Sequence, residues 1–280
     1  MENFKYIKVI KTELSTATVH TIQAPIDGEL TNAQLIETSE NLVLIDTLQL
    51  STHAGEMKEY IDSLGKPLER VIVTHYHPDH WMGGATFKGY PIYALKEVID
   101  RIAALADFLL GYHRNIHTEN PDLIPSEKVL PTEVLEEGIL EIGGVKLNLI
   151  KISETESPVN LLVELPEENV VLAQDLVYNK VYAYFGDRTT DGQFPFDNWI
   201  ATLNDLKSKH YRLVIPGHGD PADETIFDVQ IAYLEFAKKL VVEDGLKGEA
   251  LINAIVAAYP DYELELTLNM SSYMLFEWQE

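Results

Sequence analysis

Three histidines and an aspartate fall within six residues in the stretch Thr74-His75-Tyr76-His77-Pro78-Asp79-His80-Trp81-Met82-Gly83-Gly84, directly after the apolar run Val71-Ile72-Val73. A short β-branched run of this kind reads as a buried strand. The loop that leaves its end carries side chains that neither helix nor ladder constrains. Alternation along an extended segment points His75 and His77 the same way, and Pro78 then forces a turn that brings Asp79 and His80 round. The layout serves two adjacent metal centres, one taking His75 and His77 and the other Asp79 and His80. Imidazole together with carboxylate suits zinc, and also iron or manganese.

This stretch resembles the signature loop of the metallo-β-lactamase superfamily, the small residues Gly83-Gly84 included. The resemblance spans roughly residues 17–222 and implies an α/β fold, a four-layer αβ/βα sandwich with metals at one edge of its two sheets. It also implies further ligands at the ends of later strands: Glu156, then a bridging carboxylate at Asp175, then His218 within Pro216-Gly217-His218-Gly219. His75, His77 and Glu156 would hold one ion, Asp79, His80 and His218 the other, with Asp175 between them. The cofactors so implied are two divalent ions, zinc first, with iron or manganese admissible. Asp79 doubles as the catalytic residue, orienting the attacking water or accepting its proton. Asp46 reads by position as a turn residue, and in the family an aspartate there braces the metal loop.

Two departures stand out. Most members have histidine where Glu156 stands, and glycine is usual at Gln174. Thr155-Glu156-Ser157-Pro158 is similar to the Thr-Glu-Ala-Pro segment of the alkylsulfatase branch, in which glutamate coordinates the metal. A glutamate ligand adds one negative charge, which lowers the Lewis acidity of the ions and favours harder cations. The family implies a hydrolase of a small ester-like substrate, whether lactone, thioester, carboxylic ester, β-lactam or sulfate ester. The alkylsulfatase branch is larger and carries extra domains that 280 residues would not hold, so the expectation stays at that breadth. Flavodiiron relatives carry glutamate where His77 stands, and no flavin domain follows, which argues against redox chemistry. The alternative is a non-catalytic member that binds a metal or ligand as a sensor or partner module.

The elements that must position these residues follow from pattern. Tyr6–Ile10, Ala17–Ile22, Ala33–Glu37 and Leu42–Ile45 read as strands, the last two as a hairpin around Ser39-Glu40-Asn41. Ser51-Thr52 are expected to cap a helix that ends at Gly65, and a strand over Arg70–Val73 delivers the metal loop. Lys96–Leu110 has a helical period, and residues 111–127 read as a long loop whose His113, Arg114 and His117 could line a pocket. Ile139–Ile142 and Val145–Ile152 form a hairpin on Gly143-Gly144, followed by strands Leu161–Leu165 and Val170–Ala173. Aromatic residues between Tyr178 and Phe196, with Arg188, read as packing or as a substrate wall. Asp197 is expected to cap the next helix, and a strand over Arg212–Ile215 leads into the Gly-His-Gly. Two amphipathic helices, about Glu224–Val242 and Gly248–Ala258, precede a tail with leucines and tyrosines. His20, His53 and His210 read as non-ligands.

Composition sets the outer limits. With 280 residues and 46% hydrophobic content the chain reads as one domain, 1–280, with a C-terminal helical extension at about 222–280. The absence of cysteine excludes disulfides, thiolate metal sites and cysteine nucleophiles. A net charge of −24 opposes nucleic acid and anionic membrane surfaces, leaving a small-molecule substrate and, through the C-terminal helices, a second copy of the chain as expected partners. Met1-Glu2-Asn3-Phe4-Lys5 opens no long apolar run, so a secretory leader is not expected and a cytoplasmic location is.

Overall fold

A computed structural model describes residues 4–278; Met1-Glu2-Asn3, read above for a leader, lie outside them. The chain divides into two compact units, one running to Lys151 and including Leu161–Glu168, the other made of Ile152–Asn160 and the chain from Asn169 onward.

The first unit holds a seven-stranded sheet of β1 (Lys8–Glu13), β2 (Thr18–Gln23), β3 (Asn32–Glu37), β4 (Leu42–Ile45), β5 (Leu68–Ile72), β6 (Ile92–Ala94) and β7 (Glu133–Val134), in that order. Pairing is antiparallel from β1 to β4, with Leu35 opposite Leu44, and parallel from β4 to β7. The change of sense follows from the connections. Short turns join the first four strands, whereas α1 (Ser51–Ser63) carries the chain back between β4 and β5. Every residue of β4 is buried, as in a strand covered on both faces. Beyond β5 comes the metal loop, which ends in the single turn α2 (Pro78–Trp81). Gly83 follows it, at a spot where a Cβ would sit 2.2 Å from the Thr47 carbonyl oxygen. That close approach lets the Gly83 N–H donate to Leu48 O at 2.8 Å and holds the loop against the end of β4.

The helix α3 (Lys96–Ile116) runs well past Leu110, so residues 111–116 are helical and not the loop expected from Gly111 and Asn115. An interior glycine costs a helix only about 1 kcal/mol, and here Leu110 and His113 are buried on the continuing turns. Arg114 closes the end by donating to the carbonyls of Pro125 (2.6 Å) and Ser126 (3.3 Å). The hairpin of β8 (Gly138–Ile142) and β9 (Val145–Ser153) forms as expected on Gly143-Gly144, and β10 (Val159–Leu165) follows.

In the second unit β11 (Val170–Tyr178) and β12 (Leu213–His218) pair in parallel. Both run further than the apolar runs suggested, because their pairing continues through register shifts around Gln174 and takes in the Pro-Gly-His segment. Four helices accompany them: α4 (Phe196–Lys207), α5 (Ile226–Lys238, continued by a π turn over Lys239–Glu243), α6 (Gly248–Ala258) and α7 (Leu266–Phe276). The tail after α6 is therefore itself helical, tied down by Thr267 Oγ1 donating to Tyr182 O and by Ser271 Oγ accepting from Phe185 N. Two expected caps are not used. Leu50 and Pro195 occupy the N-cap positions of α1 and α4, while Ser51, Thr52 and Asp197 lie inside the first turns. Among the described residues no helix is long and apolar enough to cross a membrane.

The turn between β10 and β11 carries a buried carboxylate with a structural task. Glu168 accepts hydrogen bonds from Ser15 Oγ (2.5 Å), Thr16 N (2.7 Å) and Thr16 Oγ1 (2.8 Å). Burial opposes its ionisation, yet these donors hold its pKa down, from 4.5 to about 2. A lowered pKa means that the charged form stabilises the fold above the unfolded value, and that this contribution fades as pH falls through the folded one. Glu168→Gln should therefore unfold at lower urea concentration at pH 7, with the deficit shrinking as pH falls from about 4.5 toward 2. An equal deficit at pH 7 and pH 3 would rule out the charge as its source.

Candidate metal centre

In the first unit the metal loop is fastened by Asp46. This residue ends β4 in the left-handed backbone region (φ 64°), which aspartate tolerates better than most residues. Its carboxylate is fully buried and accepts from Thr74 N, Thr74 Oγ1 and His80 Nδ1, each at 2.8 Å. Burial pushes the Asp46 carboxyl above its ordinary value, while His80 and the Thr74 donors pull the other way. The hydrogen bonds also choose tautomers. With Nδ1–H of His80 donated to Asp46, its Nε2 is the nitrogen left for a metal. Thr74 spends its hydroxyl proton on Asp46 and so accepts from His75 Nδ1 at 3.0 Å, which leaves His75 Nε2 as the nitrogen open to a metal.

The loop atoms gather as the sequence spacing requires. His75 Nε2 lies 3.1 Å from His77 Nδ1, and His80 Nε2 lies 3.1 Å from Asp79 Oδ2. Thr31, just after two consecutive left-handed residues, Glu29 and Leu30, donates its hydroxyl to Asp79 Oδ2 at 2.7 Å. All four loop residues are buried or nearly so.

The second unit places its three expected residues by backbone geometry. Glu156 sits on a tight turn in which Glu154 N bonds Pro158 O and Thr155 N bonds Ser157 O. Gln174 has φ 49°, the left-handed region that glycine adopts most easily, which accounts for the glycine usual at this point. Asp175 follows, its Oδ2 within 3.1 Å of His218 Nε2 and accepting from the Tyr178 hydroxyl at 2.9 Å. The Tyr178 ring stacks on the His218 imidazole, with centroids 4.7 Å apart and planes 5° from parallel. Gly217 is required here because a Cβ would lie 1.8 Å from Asp175 Oδ1. The motif's first glycine thus makes room for the carboxylate.

These residues fit a divalent metal on their chemistry. Glu156 and Asp175 are both essentially inaccessible, and a ligand oxygen of each lies within 4.8 Å of the other. Two anions at that separation in a low-dielectric interior repel strongly, and a bound cation relieves the cost. His218 of the same unit, its Nε2 3.1 Å from Asp175 Oδ2, adds an imidazole nitrogen, and imidazole with carboxylate suits zinc, iron or manganese. Sequence reasoning missed the residues that orient these ligands. Thr74 adjoins His75 and could have been inferred, and Tyr178 was noted only as one aromatic among several. Thr31 meets Asp79 across 48 positions of sequence and leaves no local signal. Of the other polar residues considered, His113 is buried in the first unit, whereas Arg114 serves as a helix-end donor. Arg188 packs over Phe194 and donates to Leu275 O, a packing role. His20 lies between Tyr60 and Glu37, His53 lies beside Asp27, and His210 is exposed beside Glu224.

Residues 26–218 match the metallo-beta-lactamase superfamily. The chain belongs to that superfamily. Among solved structures, metallo-beta-lactamase IND-7 superposes with a TM-score of 0.63 at 19% identity, covering 83% of this chain and all of that one. A metallo-beta-lactamase from Pontibacter korlensis gives 0.59 at 19% identity, covering 81% of this chain and 99% of that one. Likeness at such identity is likeness of fold, and the four-layer αβ/βα sandwich expected from the metal loop is the fold they share. The curated relatives are of another kind. A linear primary-alkylsulfatase of a Pseudomonas species is 22% identical over 81% of this chain and 51% of its own length. The alkyl/aryl-sulfatase BDS1 of Saccharomyces cerevisiae is 26% identical over 89% of this chain and 43% of its own length. The chain therefore spans about half the length of each sulfatase.

The role of Gly217 is open to direct test. In Gly217→Ala the Asp175 carboxylate must swing aside, so affinity for added zinc should fall by about tenfold or more while far-UV circular dichroism is retained. Unchanged affinity would show that the position of Asp175 does not matter to metal binding.

Proposed function

We propose that this protein is a metal-dependent hydrolase acting on a sulfate ester of a small alkyl or aryl alcohol. In this reading it holds two divalent ions, zinc first among the candidates. His75, His77 and Glu156 serve one, Asp79, His80 and His218 the other, and Asp175 both. The observation that carries the reading is Glu156: a fully buried carboxylate, close to that of Asp175, in a Thr155-Glu156-Ser157-Pro158 turn of the alkylsulfatase type. Similarity to two sulfatases, which bear the names of alkyl and aryl sulfate esters, points the same way.

Ions bound there would supply Lewis acidity toward the ester oxygen. The chain's own residues supply the rest. Asp79, held in place by the Thr31 hydroxyl, would orient the attacking water and take its proton. Asp46 and Thr74 keep the imidazoles of His75 and His80 in the tautomers that present Nε2. Tyr178 holds Asp175 by hydrogen bond and His218 by stacking, which limits the freedom of two ligands at once.

Elemental analysis of the purified protein should find about two equivalents of zinc, iron or manganese, falling toward one in Glu156→Ala. The loaded wild-type protein should release inorganic sulfate from hexyl sulfate or 4-nitrophenyl sulfate faster than it opens lactones or cleaves thioesters. No bound metal after reloading would remove the hydrolase reading. Metal binding with turnover confined to lactones or thioesters would remove the sulfate ester alone.

A further inference from the structure

Gln230 puts an amide where α5 is otherwise apolar. Phe227, Gln230, Leu234 and Ala237 are buried at the spacing of a core-facing stripe, and Gln230 is only 2% exposed. Its Oε1 accepts a hydrogen bond from the backbone N–H of Tyr178 at 3.1 Å, across 52 positions of sequence. Its Nε2 is buried and has no hydrogen-bond partner among the described residues. An amide hydrogen left unpaired in the interior costs stability, and leucine or methionine in the same stripe would avoid that cost. The amide is therefore kept for its oxygen.

That oxygen holds the far end of the irregularity in β11. Gln174 pairs with Pro216 and Tyr178 with His218, so two more residues of β11 than of β12 lie between the pairs. The surplus cannot follow the ladder, and Asp175 lies within it. Backbone groups there need acceptors other than the regular strand partner. For the Tyr178 N–H the acceptor is Gln230, and one residue later Asn179 N returns to β12 by donating to His218 O at 2.9 Å. Tyr178 is also the residue that touches two ligand candidates at once, its hydroxyl on Asp175 Oδ2 and its ring on the His218 imidazole. Any change in its backbone would move hydroxyl and ring together.

We propose that Gln230 is a positioning residue of the metal centre: by accepting from Tyr178 N it closes the irregular stretch of β11 and sets the Tyr178 side chain that orients Asp175 and His218. The inference rests on the metal-binding reading above and extends it to a helix that contributes no ligand.

The test uses the full chain. In the metal-free wild type the stacked Tyr178 ring should displace the His218 ring-proton signals upfield. Gln230→Met, or Gln230→Leu should the first not fold, should return those signals toward ordinary values and speed hydrogen exchange at the Tyr178 amide. Zinc affinity, measured by competition with a chelating dye, should fall about tenfold. The visible spectrum of the cobalt-substituted protein should change with it. The urea midpoint should stay near that of the wild type, because removing the unpaired amide hydrogens offsets the lost hydrogen bond. Gln230→Glu, which keeps an oxygen for the Tyr178 N–H, should recover most of the affinity. Tyr178→Ala and the Tyr178→Ala/Gln230→Met pair should bind zinc alike, since Gln230 acts through Tyr178. Unchanged His218 signals and zinc affinity in Gln230→Met would overturn the proposal, and so would an equal loss of affinity on the Tyr178→Ala background. If the wild type binds no zinc, the metal reading fails on its own, and the His218 signals still decide whether Gln230 sets the Tyr178 ring.

Discussion

One buried carboxylate organises the metal loop. Asp46 accepts three hydrogen bonds, two from Thr74 and one from His80, and through them sets the path of the loop backbone and the tautomers of two imidazoles. It does so from the end of β4, in a backbone conformation that few side chains tolerate. A residue in such a conformation persists only where its surroundings over-determine it. Here the hydrogen bonds are that determination. Remove the carboxylate and the loop loses one of its anchors to the end of β4, while His75 and His80 become free to present either nitrogen.

The second unit relies on the same economy of close approach. Gly217 gives up its side chain so that Asp175 can occupy the space, and Gln174 takes the strained backbone that turns Asp175 inward. Tyr178, three residues on, then fixes the carboxylate and covers the His218 ring. Strand pairing between β11 and β12 shifts register at this point. Such irregularities re-aim side chains at functional sites, and the shifts lie on either side of Gln174, the residue before Asp175.

Glu156 gives the chain its individual character within the superfamily. As a ligand it would lower the positive charge available to a substrate and would suit cations and a substrate that favour a more anionic site.

The sequence by itself determined the family and most of the architecture. The spacing of His75, His77, Asp79 and His80 after a β-branched run marks a metal loop because those residue types have little other reason to cluster there. The hairpins at Asn41 and at Gly143-Gly144 were legible because turn residues and alternating strands are local signals. What failed were judgements of extent. Gly111 and Asn115 suggested a loop, but burial of Leu110 and His113 carries α3 on to Ile116, and tertiary burial outweighs a weak local propensity. The caps at Ser51 and Asp197 failed for a similar reason, since N-cap preference is worth only about 1 kcal/mol and packing sets where a helix begins. Only the tertiary structure decided which groups orient the ligands. Thr31 and Asp79 meet across 48 positions of sequence. Contacts so distant in sequence are fixed by how strands and helices pack, and periodicity records nothing about them.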